Sequence, residues 1–173
     1  MHIQHIINSK YKYRNTKRFS SYHGVCCIAA ILLLGILPSG TLACPYELPT
    51  SVVSINGQEL SVELAFTNDT RSCGLSNRFS LEKDNGMLFL FSNTRKRTFW
   101  MKNTHIPLSI AFIDETGTIV TIHQMEADQT RTTYHSSQSA RYALEVNQGW
   151  FSLHGIKTGD KVEMALPAVL NIQ

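Results

Sequence analysis

Five side chains are of the types that recognise small polar ligands: Arg78, Trp100, Lys102, Asn103 and Glu145. Trp100 and Lys102 stand two residues apart, and in an extended segment such residues share a face. Glu145 falls between Leu144 and Val146, which share a face with Tyr142, so it belongs to the other face of its strand. Charges carried into a closed sheet must pair or cost several kcal/mol. The structural expectation is therefore an internal Glu145–Lys102 or Glu145–Arg78 ion pair that fixes strand register. The functional alternative is a polar pocket floored by Trp100, in which Lys102 or Arg78 meets an anionic group and Glu145 meets a donor. The indole face would also suit a sugar or a peptide. A further alternative makes Glu145 a general acid or base, although no second carboxylate stands at a fixed spacing from it.

Other chemistry is thinly represented. A Gly-x-Ser-x-Gly elbow, a phosphate-binding P-loop and a dinucleotide glycine fingerprint are all missing from the sequence. His105, His123, His135 and His154 lack the spacing of zinc ligands, so no metal site is expected. Met87, Met101, Met125 and Met164 carry thioethers that suit Cu(I), which keeps a copper-handling protein as a third possibility. Three of the four lie in apolar runs, where methionine usually fills core space. Arg95-Lys96-Arg97 reads as a solvated basic turn, with contact to anionic lipid at an envelope surface as the lesser alternative. No cofactor and no catalytic residue is assigned.

The charge total divides unevenly along the chain. Five of the 16 basic residues (Lys10, Lys12, Arg14, Lys17, Arg18) fall in residues 1–43, which contain no acid. Residues 44–173 thus hold 11 basic against 13 acidic residues, a net charge of −2. That balance disfavours a general nucleic-acid binder, which needs a basic surface to neutralise phosphates. A composition 43% apolar and 17% charged is that of a globular chain, not a disordered one.

The basic stretch precedes the apolar run Val25–Leu37, then Pro38-Ser39-Gly40-Thr41-Leu42-Ala43. This is the layout of a secretory signal, with cleavage expected after Ala43. The run would rise about 20 Å as a helix. That falls short of the roughly 30 Å hydrocarbon core, which disfavours an uncleaved anchor. Cleavage there makes Cys44 the first residue, which admits lipidation, although the lipoprotein pattern places Leu where Thr41 stands. The expected location is periplasmic or secreted, with membrane contact only through the signal or a lipid on Cys44. The expected partner is a small ligand or an envelope component. In an oxidising compartment Cys44 and Cys73 are expected to form a disulfide, with a free structural thiol and then a nucleophilic Cys73 beside Arg71 as the lesser alternatives. Closing that loop of about 30 residues stabilises a fold by roughly 3 kcal/mol on the chain-entropy account.

The elements that must position these groups are mostly strands. Residues 51–55 and 59–64 flank Asn56-Gly57, the strongest short hairpin signal. A short helix is expected over 69–77, opened by the capping oxygens of Thr67, Asn68 and Asp69. Met87–Phe91 is continuously apolar and reads as a central strand. Residues 92–97 read as a basic loop and 98–101 as another strand. A second hairpin joins 108–113 to 118–122 through Asp114-Glu115-Thr116-Gly117. Residues 126–139 read as a long surface loop and 141–146 as a strand. Residues 149–155 read as one or two helical turns and 161–166 as the last strand. The sum is a mainly β fold, a partly closed antiparallel barrel or sandwich with one or two short helices. The divisions are a signal (1–43), an N-terminal arm and first strand (44–58), a single β-rich domain (59–166) and a tail (167–173).

Several segments in fixed order resemble the domain-of-unknown-function 192 family. They are Arg71-Ser72-Cys73-Gly74-Leu75-Ser76-Asn77-Arg78, Gly86-Met87-Leu88-Phe89, Phe99-Trp100-Met101-Lys102-Asn103-Thr104 with Ile106-Pro107-Leu108, and Leu144-Glu145-Val146-Asn147 before Gly149. Gly155-Ile156 and Gly159-Asp160 follow. The resemblance spans about residues 59–164 and implies a small, mostly β domain, often exported, with no established activity. The family usually has methionine where Ser76 stands and aspartate where Ser109 stands. An exported, non-enzymatic binding domain of the bacterial envelope is therefore the leading expectation. The rivals are an enzyme acting on envelope material through Glu145, and copper handling.

Overall fold

The computed structural model describes residues 47–173. The segment read as an export signal, and Cys44 with it, lies outside the described residues. The expected mainly β architecture is present: nine strands and two short helices, arranged as one curled seven-stranded sheet and a two-stranded ribbon.

Strands β1 (Thr50–Ile55) and β2 (Gln58–Ala65) form the first hairpin, closing at Ile55 opposite Gln58. Asn56 and Gly57 take φ of 51° and 77°, the two left-handed positions that this two-residue turn demands. Helix α1 (Asn68–Cys73) follows. The Thr67 hydroxyl accepts from the Thr70 N–H at 3.2 Å, and the Thr67 N–H donates to the Thr70 hydroxyl at 2.9 Å. The helix is shorter than the expected 69–77 because Gly74 turns to φ 51° and its N–H closes on the Thr70 carbonyl at 3.0 Å.

Strand β3 (Asn85–Arg95) then runs through the middle of the sheet, followed by β4 (Thr98–Trp100), β5 (Leu108–Ile113) and β6 (Ile119–Met125). Next come β7 (Thr133–His135), β8 (Ala140–Asn147), helix α2 (Trp150–Leu153) and β9 (Val162–Met164). The large sheet has the order β6-β5-β8-β3-β2-β1-β9, and β4 pairs with β7 in the ribbon. Every pairing is antiparallel except β2 with β3, which run parallel across the crossover that contains α1.

Two expectations need correction. The basic loop over 92–97 is mostly strand, because β3 continues to Arg95 opposite Ala140, and Arg97 is buried rather than solvated. The long loop over 126–139 contains β7, whose three residues pair with β4 as a ribbon too short to show alternation.

The two edge strands of the large sheet meet at one end. A bridge joins Thr118 to Lys161, and the Val162 N–H donates to the Gly117 carbonyl at 2.8 Å. The Gly159 N–H donates to the Ile119 carbonyl at 2.8 Å as well. The sheet is thereby drawn round into a partly closed barrel. Val53, Leu60, Leu64, Leu88, Leu144, Val146 and Phe151 fill its interior. A second core on the outer face gathers Leu75, Met87, Phe89, Met101, Ile110, Phe112 and Ala143. Residues 86–90 and 108–113 are buried throughout because their strands are covered on both faces.

This double cover leaves no space at Gly86, opposite Val146. A Cβ there would stand 2.5 Å from the Glu145 carbonyl oxygen and 3.1 Å from a Val146 methyl. Gly86→Ala is expected to destabilise the domain by about 1–3 kcal/mol, read from the midpoint of chemical denaturation. An unchanged midpoint would show that the β3–β8 pair yields without cost.

Candidate functional site

The outer face of β8 carries one ionisable group into the second core. Glu145 is paired in register with Met87 of β3 and Ile110 of β5, both fully buried, and is itself only 5% exposed. Its strand neighbours Leu144 and Val146 point the other way, into the barrel, as the alternation in the sequence requires. No hydrogen bond or ion pair joins the Glu145 carboxyl to another described residue. Burial pushes its pKa up from 4.5 to about 8, so at neutral pH it is a carboxylic acid and a hydrogen-bond donor.

The carboxyl opens onto a pocket of about 50 Å³, enough for a terminal polar group but not for a whole ligand. Its apolar walls are Leu75, Phe89, Phe99 and Trp100. Phe99 packs edge-on against Phe89 at 4.9 Å and against Phe112 at 5.6 Å, which ties β4 to the sheet. Polar lining comes from Arg71, Ser72, Ser76, Lys102 and Thr104. Two loops bring these together. The Asn77 N–H donates to the Asn103 carbonyl at 2.7 Å, and the Thr104 N–H closes a turn on Met101 at 3.2 Å. Met101, buried in the second core, anchors the segment and leaves Trp100 and Lys102 outward on either side of it.

The five residues singled out in the sequence do not all converge. Trp100, Lys102 and Glu145 line the same pocket. Trp100 is a wall, not a floor: it is 55% exposed and the Lys102 ammonium lies 5.3 Å from its ring centre, within cation–π range. Arg78 is engaged elsewhere, in a two-pronged ion pair with Glu63 at 2.5 and 2.6 Å, and that bond holds its pKa above the ordinary value. Asn103 is exposed, occupies the left-handed turn position (φ 56°) and contributes its backbone carbonyl to the loop pairing.

The expected internal pairing of Glu145 with Lys102 or Arg78 is not made. Glu63, Met87 and Glu145 stand in register across β2, β3 and β8 on one face, and Arg78 bonds the outer carboxylate of that row. Glu63 is thus a second carboxyl two strands away from Glu145, at roughly 10 Å from strand spacing, a relation invisible in the linear order. Sequence reading also missed Leu75, Phe89, Phe99 and Thr104 as pocket residues, although all sit in the segments that carry the family resemblance. Cys73 lines the pocket too, while its expected partner Cys44 is outside the described residues.

The two departures from the family pattern separate cleanly. Ser76 lines the pocket and donates to the Lys102 carbonyl at 3.3 Å, so a short polar group stands where the resemblance implies a longer thioether. Ser109 is buried on the barrel side, where its hydroxyl accepts from the Gly149 N–H at 2.9 Å. It satisfies a backbone donor just before α2, a task a carboxylate would also do, and takes no part in the pocket. Among the described residues no group of three or more His, Cys, Asp or Glu is placed to hold a metal.

The raised pKa of Glu145 gives stability a pH signature. Its carboxyl titrates near 4.5 when unfolded and near 8 when folded. Between those values the folded state holds the extra proton, so stability falls as pH rises and levels off above about 8. At about 1.4 kcal/mol per unit the loss is a few kcal/mol. Glu145→Gln is neutral throughout and is expected to flatten this slope, melting above wild type at pH 9 and near it at pH 5. A slope that survives the substitution would place the titration elsewhere.

The chain belongs to the DUF192 family, described as an uncharacterized ACR, which it matches over residues 51–164. No curated protein matches it. It is similar to a solved structure from Sinorhizobium meliloti 1021, described as a "putative transcription regulator". That similarity has 35% identity and a TM-score of 0.66, and covers 70% of this chain and 98% of that one. It is also similar to a protein of unknown function from Novosphingobium aromaticivorans DSM 12444. There the identity is 32% and the TM-score 0.64, over 70% of this chain and 91% of the other.

Proposed function

We propose that this DUF192 chain is an exported binding domain whose ligand site is the pocket over Glu145. The observation that carries the reading is convergence. Every residue lining the pocket comes from one of four separate segments of the family resemblance: 71–78, 86–89, 99–104 and 144–147. An apolar residue at position 145 would fill that place without the desolvation cost of a carboxyl. A ligand that hydrogen-bonds to the carboxyl accounts for its presence.

The chemistry of the pocket suggests what is bound. At neutral pH the Glu145 acid offers a proton, the Lys102 ammonium offers charge at the rim, and Trp100 offers a flat apolar face. These groups suit a small polar ligand or the end of an envelope component's chain, with an acceptor oxygen entering the pocket and an anionic group meeting Lys102. Support for export comes from the basic stretch, the apolar run and the small residues up to Ala43. The net charge of −2 over residues 44–173 gives no reason to carry over the regulator description of the S. meliloti protein.

A second reading, an enzyme with Glu145 as acid or base, is favoured by one observation: a carboxyl pKa near 8 is the tuning such a role needs. Copper handling has little behind it, because Met87, Met101 and Met125 are fully buried and Met164 packs against the barrel core.

Thermal shift of the full chain against panels of sugars, peptides and carboxylates tests the binding reading. At least one class is expected to raise the melting temperature. That shift should shrink in Trp100→Ala. A flat response across all panels would count against binding. For the ligand found, affinity is expected to fall as pH rises through about 8, because the donor proton is lost. Affinity that rises over that range would instead make the ionised carboxylate the binding form.

A further inference from the structure

We infer that Arg71, Arg95 and Arg97 form a second ligand site, one that takes a phosphoryl group. The three line a cleft of about 190 Å³ together with Asn68, Phe91, Ser92, Asn93 and Gln173. It shares only Arg71 with the Glu145 pocket.

Arg97 is the built part of this site. It is 4% exposed, and its guanidinium lies 3.8 Å from the ring centre of Phe91. Its Nε donates to the Ala140 carbonyl at 3.1 Å, and its Nη2 donates to the carbonyl and the side-chain oxygen of Asn93. Its Nη1 has no acceptor among the described residues. Arg71 is held over the same ring at 5.1 Å by bonds to the Phe66 and Leu90 carbonyls and to Asn68 Oδ1, which leave its Nε unused. Arg95 is exposed and donates to no described residue. The fork is therefore fixed at two corners and open to solvent at the third.

No described Asp or Glu side chain lines the cleft, and the Gln173 carboxyl beside it makes no ion pair with the arginines. Neither ion pair of the described residues includes any of the three arginines. Residues 1–46 contain no Asp or Glu that could serve them, and the nearby Glu115 bonds Thr94. Burial, and then the charges of Arg95 and Arg71, hold the Arg97 pKa down at about 10, a repulsion that a bound anion would relieve. A carboxylate would neutralise one charge of three. A phosphomonoester carries close to two, with three acceptor oxygens that guanidinium forks match.

The test is calorimetric titration of the full chain with inorganic phosphate, with acetate as the monoanion control. A second arm measures cosedimentation with phosphatidylcholine vesicles, with and without phosphatidic acid. Arg95→Glu is the informative variant, because it keeps the backbone pairing with Ala140 and the Arg95 side chain bonds no described residue. Phosphate is expected to bind at least about tenfold more tightly than acetate, and Arg95→Glu to weaken it at least about tenfold. Vesicle binding that needs phosphatidic acid and is lost in Arg95→Glu, without free-phosphate binding, would identify a lipid head group as the source of the phosphoryl group. Binding unchanged by Arg95→Glu in both arms, equal affinity for acetate, or no binding in either arm would overturn the inference.

Discussion

Strand β8 lies between β3 and β5 with packed side chains against both of its faces, and this double burial governs the rest of the structure. One face must close the barrel, and Leu144 and Val146 do so. The other must meet a second core, and there Ala143 is accompanied by a carboxyl. A sheet solvated on its outer side would give Glu145 to water and leave nothing to explain. Because loops and the β4–β7 ribbon cover that side, the same residue becomes an acid at neutral pH, set at the base of an aromatic-walled recess.

The fold was largely legible because its strongest signals are local. Asn56-Gly57 fixes the first hairpin through backbone sterics alone, and the unbroken apolar run 87–91 reads as a strand covered on both faces. What escaped was non-local. The pairing of β4 with β7 depends on two three-residue segments finding each other across more than thirty positions. The parallel run of β2 beside β3 is likewise set by the crossover, not by either strand's own pattern.

The site was legible in part for the same reason. Alternation along β8 put Glu145 opposite Leu144 and Val146, and alternation around Met101 kept Trp100 and Lys102 together. The partner of Arg78 was not legible, since Glu63 reaches it only through the register between β2 and β3. Arg97 misled for a different reason. A run of three basic residues looks solvated, yet an arginine can be buried when carbonyl oxygens and an aromatic ring receive it, as Asn93, Ala140 and Phe91 do.

Closure of the barrel rests on β9, which is synthesised last among the strands yet pairs with β1, synthesised first. A body whose closing edge strand first docks on a strand more than a hundred positions away cannot lock shut while the ribosome is still at work. Such long-range closure is slow. For a polypeptide that leaves the cytoplasm as a thread, as proposed for this one, that delay would keep the chain pliant until translocation is complete.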